Sequence, residues 1–229
     1  MSVSAGQELP QRVRKFVFDR FLERGEPPVV EEVMTGFSLS REEATDVLRG
    51  LEAARHIALV KGTARILMAF PFSAVATAFR VDVGDRRYFA NCAWDAIAFH
   101  AMLGQEIRVE SFCHHCAAPI DVELRDGRAV RVEPEGALVY LALPAAQWWD
   151  DIITTCSNTM VFFASPEHRD ASTLCASAEA GASLTPDQVH ALSVPLYTTR
   201  MELGYTRPSK QVHLDHFSAM GLTGEFWRL

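Results

Sequence analysis

Positive charge is scarce in this chain. Its 22 Lys and Arg residues are outnumbered by 29 Asp and Glu, a formal charge of −7 at pH 7, which argues against broad contact with nucleic acid phosphates or an anionic membrane surface. Long apolar runs are missing too. No stretch approaches the ~18 apolar residues of a membrane span, and the polar start from Met1 to Pro10 lacks the charged, apolar and small-residue order of a signal peptide. A cytoplasmic location is expected. The sequence has no phosphate-binding glycine loop, no Gly-x-Ser-x-Gly and no internal repeat, so nucleotide cradling, serine hydrolysis and solenoid architectures find no support. Cysteine is sparse and odd in number, at five residues. Without an export signal, that count points to reduced thiols that are buried or at work rather than to a disulfide framework.

What is present is ample apolar content, 48% of 229 residues, enough for a sizeable core. From Leu9 to Val81 the pattern is first helical, then strand-like. Val13, Phe16, Val17 and Phe21 recur at helical spacing, Pro27-Pro28 breaks the chain, and Val29, Val30, Val33 and Met34 predict a second short helix. Ser40 with Glu43 three residues on forms a capping box ahead of a third helix carrying Ala44, Val47, Leu48 and Leu51. Ile57 to Val60, the turn Lys61-Gly62 and Arg65 to Phe70 follow as a hairpin. Three helices and a hairpin are a winged-helix-like order. DNA binding would use Arg41, Arg49 and Arg55, but Glu42, Glu43, Asp46 and Glu52 share that helix and its approach, so a structural or lid-like module is the better reading.

A different unit begins near residue 81. Asp82 to Asp85 reads as a turn, Arg86 to Phe89 as a strand, and a helix then buries Ile97, Ala98 and Met102 before stopping at Gly104. Alternating runs at Ile107–Ser111, Ile120–Leu124 and Ala129–Val132, with the apolar run Ala137–Leu143, predict a small antiparallel or mixed sheet. The fold class is therefore α+β, with a helical winged-helix-like module over residues 1–80 and a core with a C-terminal helical extension over residues 81–229.

Within Tyr88 to His100, Cys92 falls at the helix start and Asp95 three residues later on the same side. A helix start favours the thiolate, which attacks electrophiles or binds soft metals, and the nearby carboxyl can carry the proton. Taken alone, the pair reads as a small buried hydrophobe and an ordinary first-turn acid. Cys156, flanked by Thr154, Thr155, Ser157 and Asn158, suits an open loop at the edge of a site, or a packed cysteine. Cys113-His114-His115-Cys116 supplies at most half of a tetrahedral zinc site unless a histidine joins it; structural packing, a soft-metal site and a redox pair stay open. Cys175 reads as incidental. His213 and His216 have ligand spacing without a third partner. Arg200, Arg207 and Lys210 read as a solvated basic face, and Pro195 as a kink or end to the helix that starts at Thr185-Pro186.

The stretch from Asp85 to Phe163 resembles the organomercurial (alkylmercury) lyase family. Its marks are Arg86-Arg87-Tyr88, Cys92-Ala93-Trp94-Asp95, Phe99 to Gly104, Arg108-Val109, Val132-Glu133-Pro134 with Gly136, Leu143-Pro144, and Cys156 shortly before Phe162-Phe163-Ala164-Ser165. The fragments are unspecific singly, but their order and spacing together are specific. The resemblance implies that two cysteines and one aspartate cleave a carbon-mercury bond. One thiolate captures the organomercury cation, the second joins it, and a proton is delivered to carbon. Cys92 and Asp95 match directly; the second cysteine's register falls on Ser157, and Cys156, one residue earlier, is the candidate. A second departure is that the family's pattern has a cysteine at Cys113 but no partner three residues on.

The resemblance thus implies an organomercurial lyase with catalytic Cys92, Asp95 and Cys156, no required cofactor, and Hg(II) held by the same residues as product until a cellular thiol takes it. Two thiolates suit that soft ion far better than oxygen or nitrogen donors. Alternatives are a related enzyme acting on another organometal, organometalloid or carbon-heteroatom bond, a soft-metal-binding protein without turnover, and a metal-responsive regulator. No nucleic acid or membrane partner is expected.

Overall fold

The computed structural model describes residues 5–175 and 181–229. Residues 1–4 of the polar N-terminal stretch, and 176–180 of the Ala- and Ser-rich stretch after Cys175, lie outside it. The chain opens with helices α1 (Ala5–Arg24), α2 (Val30–Phe37) and α3 (Arg41–Ala53). Ser40 Oγ accepts the Glu43 N–H at 3.2 Å while the Glu43 carboxylate accepts the Ser40 N–H at 2.8 Å, so the expected capping box fixes the start of α3. Strands β1 (Ala58–Leu59), β2 (Ile66–Ala69) and β3 (Phe72–Ser73) form a small antiparallel sheet, one strand more than the expected hairpin.

A five-stranded antiparallel sheet follows, in the order β5-β4-β6-β7-β8. Its strands are β4 (Arg80–Val83), β5 (Arg86–Phe89), β6 (Ile107–Phe112), β7 (Pro119–Arg125) and β8 (Arg128–Glu133). Asp82 belongs to β4, not to a turn: Gly84, at φ +55°, makes the tight reversal with Asp85. Helix α4 (Ala93–Leu103) interrupts the strand order and ends on Gly104 at φ +63°. It is buried almost all round, because the sheet covers one side and α7 (Pro186–Tyr197) the other.

The third sheet, β10-β9-β11, is built from β9 (Leu138–Leu141), β10 (Met160–Phe163) and β11 (Ala182–Leu184), all antiparallel. Between β9 and β10 lie the single turn α5 (Ile152–Thr154) and a π-helical turn over Thr155–Thr159. After β10 come α6 (Pro166–Asp170), α7, and α8 (Lys210–Ala219). Pro195 does not end α7, which runs two residues further, since a proline in the last turn removes only one ladder hydrogen bond.

One aromatic cluster ties the N-terminal helices to the core. The Phe72 ring lies 5.1 Å from Phe21, 6.4 Å from Phe18, 5.4 Å from Tyr88 and 4.9 Å from Phe99, so α1, β3, β5 and α4 meet on one side chain. Tyr88 Oη donates to the Leu22 carbonyl at 2.7 Å across the same seam. On the far side Trp227 packs on Trp148 and Phe217, which docks the aromatic C-terminal segment as expected. Among the described residues no helix is long and apolar enough to cross a membrane.

Candidate active site

The strand-to-helix junction Asn91-Cys92-Ala93-Trp94-Asp95 builds the site. Cys92 is the N-cap of α4, in extended backbone, and its Sγ accepts the Asp95 N–H at 3.3 Å, where Ser or Asp is the usual cap. Asp95 is only 2% exposed. One of its carboxylate oxygens accepts Tyr197 O–H at 2.6 Å and the other accepts Asn91 Nδ2–H at 3.0 Å. Asn91 also donates to the Pro71 carbonyl at 3.0 Å, which fixes its orientation. Tyr197 arrives from the last turn of α7, about a hundred residues away in sequence.

Cys156 comes from the π-helical turn ahead of β10 and is buried, not set in an open loop. Its small polar neighbours are helix-turn residues that satisfy one another: Ser157 Oγ donates to the Ile153 carbonyl and Thr159 Oγ1 to that of Thr155, both at 2.7 Å. The two sulfurs and a carboxylate oxygen of Asp95 lie within 4.8 Å of one another.

Burial governs the protonation of this triad. It pushes the Asp95 carboxyl above the usual range, and the Tyr197 and Asn91 hydrogen bonds only partly offset it. Cys92 is pushed well above the ordinary thiol range, first by burial and then by its contact with Cys156 and the Asp95 charge. The thiolate favoured by a helix start is therefore not the resting form. A single amide at 3.3 Å does not offset full desolvation. At Cys156 the Cys92 hydrogen bond is the largest influence and lowers the pKa, but burial and the Asp95 charge together raise it. Both thiols are thus shifted toward their protonated forms beside a carboxyl of raised proton affinity.

Asp95 and Cys156 open on a cavity of about 350 Å³ with an aromatic wall that includes Phe70, Trp94, Trp148 and Tyr197. Cys92 lies behind that lining. Arg55, Arg200 and Arg207 also line the cavity, and among the described residues none of the three forms an ion pair with a carboxylate. They stack instead: Arg200 over Tyr197 at 4.7 Å, Arg207 and Arg55 over Trp149 at 4.5 and 5.0 Å. Burial and the neighbouring Arg200 charge bring Arg207 down to about 10. Arg200 is 3% exposed, so the expected solvated basic face is partly a cavity wall. Arg14 of α1 holds it there by donating to the Arg200 carbonyl at 2.6 Å.

The other candidates fall elsewhere. His213 and His216 bond separately to the carbonyls of Ser209 and Ala191 and share no site. Arg41 pairs with Glu31 and Arg49 lies 3.7 Å from Asp46, so two of the three arginines of a DNA-binding reading are engaged locally. Cys113 and Cys116 meet His168, a residue that sequence spacing did not connect to them. Tyr197, Asn91 and Arg200 were likewise missed as site residues; the only local signal was the run Tyr197-Thr198-Thr199-Arg200 just beyond a proline.

A family model described as alkylmercury lyase matches residues 72–198, more than half of the chain. The chain belongs to the alkylmercury lyase family. The match takes in Cys92, Asp95, Cys156 and Tyr197 and leaves out α1 to α3 and Arg200. Curated alkylmercury lyases are similar at modest identity. That of Bacillus cereus is 27% identical over 147 residues, 64% of each chain, and that of Staphylococcus epidermidis 27% over 150 residues, 64% of this chain and 65% of the relative. The alkylmercury lyase of Pseudomonas putida is 33% identical over 105 residues, 46% of this chain and 47% of its own. The chain thus spans a little under two thirds of the length of the Bacillus relative it matches, 64%. The solved structure described as the mercury-bound form of MerB2 superposes with a TM-score of 0.66 at 18% identity, covering 86% of this chain and 92% of that one, a likeness of fold.

Proposed function

We propose that this member of the alkylmercury lyase family cleaves the carbon-mercury bond of organomercurials by protonolysis, with Cys92, Cys156 and Asp95 as its catalytic residues. The observation that carries this reading is the buried triad: two thiols and a protonatable carboxyl within 4.8 Å at the foot of an aromatic cavity. Two sulfurs suit mercury, which prefers thiolate over oxygen or nitrogen donors. A carboxyl whose proton affinity burial has raised suits taking a proton from a thiol and delivering it to carbon.

An organomercurial enters as its adduct with a small thiol. Cys156, which lines the cavity, exchanges for that thiol on mercury and gives up its proton to it. Cys92 passes its proton to Asp95 and its thiolate joins the metal, so that two sulfurs push electron density into the mercury-carbon bond. Asp95 returns that proton to carbon as the bond breaks. The sum is two cysteine thiols and one organomercury thiolate giving a hydrocarbon, one free thiol and Hg(II) held by two thiolates. Asn91 and Tyr197 hold the carboxyl aimed at the sulfurs throughout. Two external thiols then remove the product. In this reading the protein works in the thiol-rich cytoplasm without a resident cofactor, and residues 1–80 form a winged-helix-like module that covers the core over residues 81–229 rather than one that binds DNA.

Headspace gas chromatography of purified protein with methylmercury or phenylmercury and excess small thiol tests this directly. Methane or benzene over several turnovers, absent in Cys92→Ser, is expected. Stoichiometric mercury binding with no hydrocarbon would overturn the lyase reading in favour of a mercury-binding protein.

A further inference from the structure

Cys113 and Cys116 take no part in the chemistry above, yet their surroundings are built. Cys113 directly follows β6 and Cys116 sits three residues on, in the turn before β7. Cys113 N–H donates to the Ala118 carbonyl at 2.8 Å and Ala117 N–H donates back to the Cys113 carbonyl at 2.9 Å, with Ala117 in the left-handed region at φ +58°.

The third partner comes from another element. His168, on α6, has its N–H capped by Ser165 Oγ at 3.3 Å, and its Nδ1 lies 3.4 Å from Cys116 Sγ and 3.7 Å from Cys113 Sγ. In a tetrahedral zinc site with Zn–S near 2.3 Å and Zn–N near 2.0–2.1 Å, a sulfur and a nitrogen ligand stand about 3.6 Å apart. The observed separations bracket that value. Cys113 is buried while Cys116 and His115 are exposed, so the open side faces solvent, with the His115 ring 5.6 Å from that of His168.

We propose that Cys113, Cys116 and His168 form a second metal centre, which holds Zn(II) and fastens the β6–β7 turn to α6. It is separate from the Cys92 triad. His114 N–H donates to the Phe162 carbonyl at 2.9 Å, which places the turn at the far end of β10, whereas Cys156 precedes its start. Four strand residues span about 10 Å, too far for one ion to serve both ligand sets. Three protein ligands with a solvent-facing fourth position, beside His115, give a site that binding and folding both tighten.

The test is metal content, read independently of lyase activity. Wild type, Cys92→Ser/Cys156→Ser and Cys113→Ser/Cys116→Ser are purified from zinc-supplemented medium under reducing conditions and measured by inductively coupled plasma mass spectrometry. About one zinc per chain is expected in the first two and at least a tenfold loss in the third, with His168→Gln weakened as well. Co(II) added to metal-free wild type should give a thiolate-to-cobalt charge-transfer band that survives in Cys92→Ser/Cys156→Ser. Zinc content unchanged by Cys113→Ser/Cys116→Ser overturns the assignment, as does a Cys113–Cys116 disulfide in the reduced preparation. Should that double variant fail to fold, the cobalt spectrum of Cys92→Ser/Cys156→Ser decides: its absence refutes the site.

Discussion

Burial raises the proton affinity of the Asp95 carboxyl, which separates the chemical role proposed for it from its effect on stability. Its folded pKa lies above the unfolded value, so the native state binds the extra proton. Its contribution is fully present below the unfolded pKa and is lost as pH rises through the folded one. Asp95→Asn removes the charge but keeps both hydrogen bonds, since the amide oxygen accepts from Asn91 and the amide nitrogen donates to Tyr197. The variant should therefore unfold at a higher temperature than wild type at neutral pH, by a margin that shrinks toward acid, while its turnover falls by about 10²-fold or more. Differential scanning fluorimetry across pH, run beside headspace chromatography, reads both; a variant that is less stable and still active would remove Asp95 from the mechanism. Tyr197→Phe probes the same proton from the other side. The Tyr197 hydroxyl lowers the Asp95 pKa, and a hydrogen bond to a charged group is worth about 1.5–3 kcal/mol. Its loss should move the Asp95 limb of the pH–rate profile to higher pH and slow turnover about tenfold; an unmoved limb would assign Tyr197 to packing.

In the proposed mechanism the helical turn around Cys156 decides which residue supplies the second thiol. A π turn carries one more residue than an α turn for the same rise, and such turns sit often at functional sites. Here it leaves Cys156 buried and Ser157 exposed, with Ser157 bonded to the Ile153 carbonyl. Exchanging the pair, as Cys156→Ser with Ser157→Cys, should abolish hydrocarbon release while leaving the thiol count and far-ultraviolet circular dichroism unchanged. Full activity of the exchanged protein would mean that the turn refolds to the family register. This turn also marks where sequence reading stops. Capping boxes, strand alternation and Gly104 are local signals, so α3, α4 and strands β5 to β9 were legible, and so was the Cys92–Asp95 spacing, whereas the short β3 and β11 carry no such alternation and Asp82 of β4 reads as turn. Whether Cys156 reaches Cys92 depends on a backbone irregularity that no periodicity encodes. Tyr197, Arg200 and His168 each join their sites across long stretches of sequence, where only the packed fold brings them in.

Across the whole molecule, acidic excess and cavity charge point in opposite directions. The chain carries −7, yet the wall around Asp95 and Cys156 presents Arg55, Arg200 and Arg207. These cations, with Arg14, also bear on His56, which burial and then the charges of Arg200, Arg14 and Arg207 bring down to about 4. Between about pH 6.5 and pH 4 the unfolded chain binds the proton that native His56 refuses, so stability falls with falling pH, by up to about 3 kcal/mol. His56→Gln should flatten that part of the curve in urea titrations at successive pH values, and an unchanged slope would mean that the ring protonates in place. A ligand carrying negative charge relieves the same repulsion. An arylmercurial with a ring carboxylate should therefore be processed with a kcat/KM about tenfold above that of phenylmercury at low salt, since 1.4 kcal/mol is a modest return for a carboxylate facing desolvated guanidinium groups. The preference should shrink as ionic strength rises, because the cavity is open to solvent on one side. Arg207→Gln should reduce it severalfold while leaving the phenylmercury rate near wild type, as Arg207 stacks on Trp149 and is bonded to none of Cys92, Asp95 and Cys156. Equal rates for the two substrates in wild type, or a preference indifferent to Arg207, would show that the guanidinium groups serve the aromatic wall and not the substrate.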